Sequence, residues 1–269
     1  MIKIRPFLKW AGSKYNCLDK IIPFLPPGKR LIEPFAGSGV VLMNTNYSAY
    51  LLAESNMDLI SLYTILQEQA NDFIDYCETY FSLELNCKET YYQIRSDFNQ
   101  LPYTQQRAAL FLYLNRHGYN GLCRYNSQGF YNVPFGRYVK PYFPQKEMQL
   151  FHQKSQNTQF IHQDFRKTFA QAERGDVIYC DPPYVPFSEK TKLLPYTKKP
   201  FTNTDQIELS ELAQETAARG IPVIISNHDT EFTRQHYSKA KIKSFKVSRF
   251  INCQSALRKP VKELVAVFK

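Results

Sequence analysis

The apolar run Asp176-Val177-Ile178-Tyr179-Cys180 stops on Asp181-Pro182-Pro183-Tyr184. The run reads as a buried strand. Two prolines then rule out both continued strand pairing and a helix, because they fix φ and carry no N–H. The chain must therefore place an acid, free carbonyls and an aromatic ring on a rigid rim at the strand's carboxyl end. Asp181 and the Pro182 carbonyl can both accept hydrogen bonds from one exocyclic NH2, and Tyr184 can stack on the planar ring that carries it. A bare Asp-Pro-Pro is more often a capped turn. The full tetrapeptide arises by chance in on the order of one in a thousand chains of this length, and its place after a strand favours a site.

The 269 residues suffice for one domain with a large insertion, or for two domains. Lys and Arg exceed Asp and Glu by 34 to 24, a net charge of +10 that attracts polyanions such as nucleic acid. A basic soluble enzyme has the same balance, so charge alone does not choose. Cysteines at 17, 77, 87, 123, 180 and 253 form no Cys-x-x-Cys pair and no zinc spacing. Met1 to Pro6 has no signal-peptide stretch, and no apolar run approaches the ~20 residues that span a bilayer. The expectation is a cytoplasmic protein with free thiols, no metal, no membrane and no obligate protein partner.

Strand-like stretches alternate with helical ones, as in α/β proteins. Strands are expected at Arg30–Phe35, Ala49–Glu54, Gln159–His162, Asp176–Asp181, Ile221–Ser226, Lys241–Val247 and Leu264–Phe268, with a helix from Asp205 to Arg219 capped by Thr204. Long helices are expected at Asp58–Phe81, Lys88–Asn99 and Thr104–Arg116, and residues 117–138, rich in Gly, Asn and Tyr, suggest a hairpin or ordered loop. The reading is a catalytic domain of residues 1–55 and 144–269, with residues 56–143 as a mostly helical insertion.

Glu33-Pro34-Phe35-Ala36-Gly37-Ser38-Gly39 falls where a first strand gives way to a helix. Gly37 and Gly39 permit a tight turn close to a ligand, although Gly-x-Gly by itself is usually only a turn. The next strand ends on Glu54, an acid placed to bind ribose hydroxyls as in dinucleotide folds. Leu42 stands where the dinucleotide fingerprint needs its third glycine, and no Lys-Ser/Thr follows for an ATP loop. A nucleoside without phosphates fits better, and S-adenosylmethionine is the obvious one.

With F-L-K-W-A-G-S-K at 7–14, E-P-F-A-G-S-G at 33–39, the segment 117–138, D-P-P-Y at 181–184 and I-S-N-H-D-T at 225–230, the chain resembles the Dam-type DNA adenine-N6 methyltransferases of the D12 class over essentially its whole length. The motif order matches the alpha group of amino-methyltransferases. The resemblance implies a Rossmann-like S-adenosylmethionine-dependent sheet whose insertion is a target-recognition domain carrying a β-hairpin. It implies catalysis by Asp181, Pro182, Pro183 and Tyr184, on an adenine flipped from double-stranded DNA. It implies a cofactor site formed by Trp10, Lys14, Phe35, Gly37, Gly39, Glu54, Asp164, Phe165 and Asp181. At position 54 an Asp would be the family's choice; Glu keeps the charge and is one methylene longer. Outside that context Trp10 would be a core aromatic and Lys14 a surface charge.

For DNA the resemblance implies that Lys9, Leu122, Arg124 and Pro134 read bases and that Tyr119 enters the stack beside Asn120. Asn126, Ser127, Arg137 and Tyr138 would lie along the backbone or the central bases, and the target would be GATC, in a bacterial or phage cytoplasm. Arg116, Tyr125 and Lys140 add cations and an aromatic to the same stretch, and Lys140 reads equally as a solvated charge. Lys239, Lys241, Lys243, Lys246, Arg249, Arg258 and Lys259 either attract DNA or face solvent. The competing functions are an RNA or protein amino-methyltransferase, which the large insertion disfavours, and a catalytically dead nucleic-acid-binding module, which the intact Asp181 and Tyr184 disfavour.

Overall fold

The computed structural model describes residues 3–184, 201–247 and 261–269. Arg249, Cys253, Arg258 and Lys259, named above, lie outside the described residues. Among the described residues seven strands, β1 (Arg30–Glu33), β2 (Ala49–Glu54), β3 (Thr158–His162), β4 (Asp176–Cys180), β5 (Val223–His228), β6 (Lys241–Val247) and β7 (Val261–Phe268), form one sheet in the order β3-β2-β1-β4-β5-β7-β6. All pairings from β3 to β5 are parallel, and β7 runs antiparallel to both β5 and β6. This is the doubly wound arrangement expected. Chain order reverses between β1 and β4, so the switch point, where such sheets bind ligands, lies between their carboxyl ends. Those ends carry the E-P-F-A-G-S-G turn and the D-P-P-Y motif.

Strand ends differ from expectation where proline acts. β1 stops at Glu33 because Pro34 has no N–H to continue the ladder, and β5 starts at Val223, after Pro222. β4 ends at Cys180, which frees Asp181 from the ladder. β7 begins at Val261, earlier than its apolar part suggested. Every residue of β4 and β5 is buried, as parallel strands covered on both faces require.

Among the described residues the α-helices are α1 (Leu18–Ile21), α2 (Val40–Asn44), α3 (Met57–Glu78), α4 (Lys88–Gln100), α5 (Gln105–His117), α6 (Gln145–Lys154), α7 (Phe165–Ala170), α8 (Asn203–Ala218) and α9 (Glu231–His236). One sheet face packs on α7 and α8 through Phe165, Phe169, Leu209 and Ala213. The other packs on α2, α3 and α6, and its core runs on without a break into α4 and α5 through Phe73, Tyr91, Phe98 and Phe111. Fully burying a side chain such as Phe98 or Phe111 stabilises by about 1.5–3 kcal/mol. The expected long first helix bends at Ala70, whose φ of 49° and ψ of −123° are not helical. The cap of α8 is Thr202, not Thr204: its side chain accepts from the Asp205 N–H while the Asp205 carboxylate accepts from the Thr202 N–H.

Residues 117–138 double back antiparallel, but with two single-pair bridges, Gly118 to Phe135 and Tyr125 to Tyr131, in place of a ladder. Side chains supply the missing order. Buried Asp58 at the start of α3 pairs with Arg107 of α5 (2.6 Å) and accepts from the Tyr125 hydroxyl (2.6 Å). Asn99 of α4 bonds both the N–H and the carbonyl of Tyr131.

Candidate active site

Asp181 stands immediately past β4. Its Oδ1 accepts from Ser226 Oγ of β5 at 3.0 Å and pairs with the buried Lys14 ammonium at 2.8 Å. Among the described residues Oδ2 has no partner. The Pro182 carbonyl likewise accepts no hydrogen bond among them, whereas that of Pro183 accepts from Gln206 Nε2 of α8 at 2.6 Å. The motif therefore offers two acceptors, a carboxylate oxygen and a carbonyl, on a loop anchored by its other atoms.

Tyr184 is held by its far end. Its hydroxyl donates to Glu263 of β7 at 3.2 Å, its ring meets His228 edge-on at 4.7 Å, and the Lys14 ammonium lies 4.4 Å from its centroid. Burial, with the carboxylates of Asp181 and Glu263, pushes its phenol well above the usual value, so it stays a neutral donor. Lys14, expected at the cofactor, thus reaches across to the catalytic motif, and also donates to the Gly12 carbonyl at 2.6 Å. Cys180, directly behind Asp181, is fully buried, and burial raises its thiol well above the ordinary value. It offers no thiolate for covalent catalysis.

The neighbouring turn is fixed by its glycines. Gly37 and Gly39 have φ of 46° and 65°, and a Cβ on Gly37 would press on the Trp10 indole at 3.1 Å. The Gly37 N–H donates to Glu54 Oε2 at 3.2 Å, and Ser55 and Asn56 donate to Oε1. Burial raises the Glu54 carboxyl against these donors. Glu33, buried at the end of β1, is pushed up to about 8 by burial, partly opposed by the Leu42 N–H it accepts. Phe35 stacks on Phe165 at 5.5 Å, with Phe201 closing the cluster. Asp164 stands beside them but caps α7 and pairs with Arg166, with its side chain half exposed. Trp10, Phe35, Gly37, Gly39, Glu54, Phe165 and Asp181 gather at the carboxyl ends of β1, β2 and β4. A flat ring beside the aromatic cluster and hydroxyls at the Glu54 Oε2 edge would suit this turn, so the residues fit a nucleoside.

The 7–14 segment joins this turn to the insertion. Lys9 and Asn115 exchange a reciprocal backbone-to-amide pair (2.9 and 2.7 Å), and the Lys9 ammonium lies 4.0 Å from the Tyr138 ring. Burial, then Arg116, lowers its pKa to about 8. Tyr119 is 43% exposed, on a turn where Asn120 takes a φ of 53°. Ser127, Pro134, Arg137 and Lys140 are exposed, and Leu122, Arg124, Asn126 and Tyr138 are half-buried. Asn126 Oδ1 closes a local turn on Gln128 and Phe130. Arg116 and Tyr125 depart from expectation: both are buried, one bonded to the Tyr142 carbonyl and the other to Asp58. Lys241, Lys243 and Lys246 are exposed along the edge strand β6, where lysines also discourage strand addition.

Sequence reasoning did not find Ser226, Gln206 and Glu263 as supports. The available signal was the polar run Ser226-Asn227-His228, buried at the end of an otherwise apolar strand. Such groups must have partners: Asn227 Nδ2 bonds Gln206 Oε1 at 3.0 Å, fixing the amide that holds Pro183. Among the described residues no cluster of His, Cys, Asp and Glu could hold a metal ion, and no helix is long and apolar enough to cross a membrane.

Comparison with known proteins converges on one family. Residues 10–251 match the model of the D12 class N6 adenine-specific DNA methyltransferases. A DNA adenine methylase of Escherichia coli (strain K12) is 48% identical over 269 residues, covering all of this chain and 97% of the relative. Those of Serratia marcescens (47%, both chains covered completely) and Vibrio cholerae O395 (46%, 100% and 97% covered) are similar. A solved precorrin 8W decarboxylase covers both chains completely with a TM-score of 0.41 and 10% identity, too loose a likeness to carry an argument. With its acid-proline-proline-aromatic notch at the switch point and full-length likeness to DNA adenine methylases, this chain belongs to the D12 class N6 adenine-specific DNA methyltransferases.

Proposed function

We propose that this DNA adenine-N6 methyltransferase uses S-adenosylmethionine as donor and acts on an adenine flipped out of duplex DNA, within GATC. The observation that supports this reading is a pair of acceptors, Asp181 Oδ2 and the Pro182 carbonyl, that have no partner among the described residues and stand on a braced loop beside the glycine turn. The cofactor, held by Trp10, Phe35, Gly37, Gly39, Glu54 and Phe165, with Asp164 at its edge, supplies a methyl group activated by a sulfonium.

The chain's own part is to position and to balance charge. N6 of adenine is a poor nucleophile because its lone pair is delocalised into the ring. Accepting its hydrogens at Asp181 and Pro182 draws the nitrogen toward a tetrahedral shape and aims the lone pair at the donor. Holding the amine in one orientation beside the cofactor turn would supply much of the acceleration. Positive charge grows on N6 as the bond forms, and the Asp181 carboxylate stabilises it and stands ready for the proton N6 sheds. The Lys14 ammonium rests on Oδ1 and on one face of Tyr184, so an entering adenine uses Oδ2 or displaces it.

A stacked, paired adenine cannot enter, so it is flipped, and Tyr184 offsets part of the lost stacking. Residues 56–143 act as the recognition region. Exposed Tyr119, beside Asn120, is the wedge; Lys9, Leu122, Arg124 and Pro134 read base edges; Asn126, Ser127, Arg137 and Tyr138 follow the backbone. Family membership favours DNA over an RNA or protein amine. The test is expression beside a plasmid: the plasmid should resist a nuclease that cuts only unmodified GATC, and full cutting would refute the assignment of the target.

A further inference from the structure

Arg124 and Asn132 face each other across the Tyr125–Tyr131 bridge. The Asn132 N–H donates to the Arg124 carbonyl at 3.1 Å. In return Arg124 Nε donates to Asn132 Oδ1 at 2.6 Å and Nη2 donates to the Asn132 carbonyl at 3.0 Å. Nε–H and the adjacent Nη2–H form one edge of the guanidinium, so Asn132 occupies that whole edge. A guanidinium has five N–H donors. The three left are both on Nη1 and one on Nη2, and one from each nitrogen lies side by side at the tip. That tip is the fork that matches O6 and N7 of guanine.

We infer that Asn132 is a positioning residue for base selectivity: it locks the side edge of Arg124 so that only the tip fork faces the DNA. The platform beneath is stiff, because Tyr131 is buried and tied through its backbone to Asn99, and Tyr125 is tied to Asp58. Without Asn132 the guanidinium swivels and can present its side edge to a phosphate or to a wrong base. Ordering that Asn132 had already supplied would then have to come from the DNA contact itself. The inference rests on the reading that Arg124 faces a base.

The test measures kcat/KM on short duplexes containing GATC and on a set with each position replaced in turn. Asn132→Ala should lower discrimination about ten-fold at the one position that Arg124→Ala also relaxes, leaving discrimination at the other positions intact. A structural defect would instead erode every position. Asn132→Asp keeps the oxygen at that place and should retain the selectivity. The double variant Arg124→Ala/Asn132→Ala should be no more relaxed than Arg124→Ala, since the two act as one unit. Unchanged discrimination in Asn132→Ala, or an equal loss on all duplexes as for a phosphate contact, would overturn the inference. If Arg124→Ala itself relaxes no position, the fault lies in the reading of Arg124.

Discussion

Asp181 follows a strand buried along its whole length, and its loop is braced from β5, α8 and the amino-terminal segment. Arg124 lies on a segment with two single-pair bridges, ordered by side chains reaching up from α3 and α4. Methyl transfer needs acceptors fixed before the substrate arrives, and the carboxyl end of a central strand at the switch point supplies them from backbone geometry. Base reading, the role proposed for residues 117–138, needs donors that project into a groove. A ladder would spend backbone groups on itself, so the insertion leaves the segment open and stiffens it with a few buried polar contacts.

If those contacts carry the order of the reading region, Asp58→Ala should do the most damage. It leaves Arg107, 12% exposed, without its carboxylate partner, at a cost of about 3 kcal/mol, visible as a lowered midpoint in denaturant. Loss of base discrimination should precede loss of the methyl-transfer fold, and a simultaneous loss of both would erase the distinction between the regions. Tyr184→Ala tests the other side. It should slow turnover by about a hundred-fold on duplex DNA, with a smaller deficit on single strands, where no stacking is lost on flipping. Equal deficits on both would remove the ring's stacking role.

Within the reading region, Arg124→Ala should cost about 1–3 kcal/mol of discrimination at one base. Arg137→Ala should weaken all sequences alike and reduce the salt dependence of binding. If both variants behave alike, base reading and backbone contact are not divided between them. The smallest effect expected is a pH dependence at Lys9. Its pKa, lowered to about 8, leaves it charged below that pH and neutral above. DNA affinity should therefore fall as pH rises from about 7 to 9, and Lys9→Gln should flatten that change. An unaltered profile in the variant would show that Lys9 does not contact DNA as a cation.

The local geometry of the candidate site was legible in the sequence because its determinants are local. Prolines end strands, glycines take positive φ, and an acid closes β2. The supports of that site were not legible, because Ser226, Gln206 and Glu263 come from distant elements and only the folded sheet brings them to Asp181 and Tyr184. For the proposed recognition segment the composition was legible but the burial was not. Arg116 and Tyr125 look like DNA-facing residues, yet one bonds the Tyr142 carbonyl and the other Asp58. Thr202 and Thr204 show the same limit at short range: either threonine could cap α8, and only the reciprocal bond with Asp205 selects the first.

The proposed grip of Asp181 on the target amine is tested most directly by single-turnover methyl transfer to a GATC duplex by Asp181→Ala, with duplex binding measured on the same sample. Transfer should fall by at least about a thousand-fold while binding stays within a few-fold of the parent protein. Transfer at near-parental rates by a variant that binds DNA normally would contradict the account.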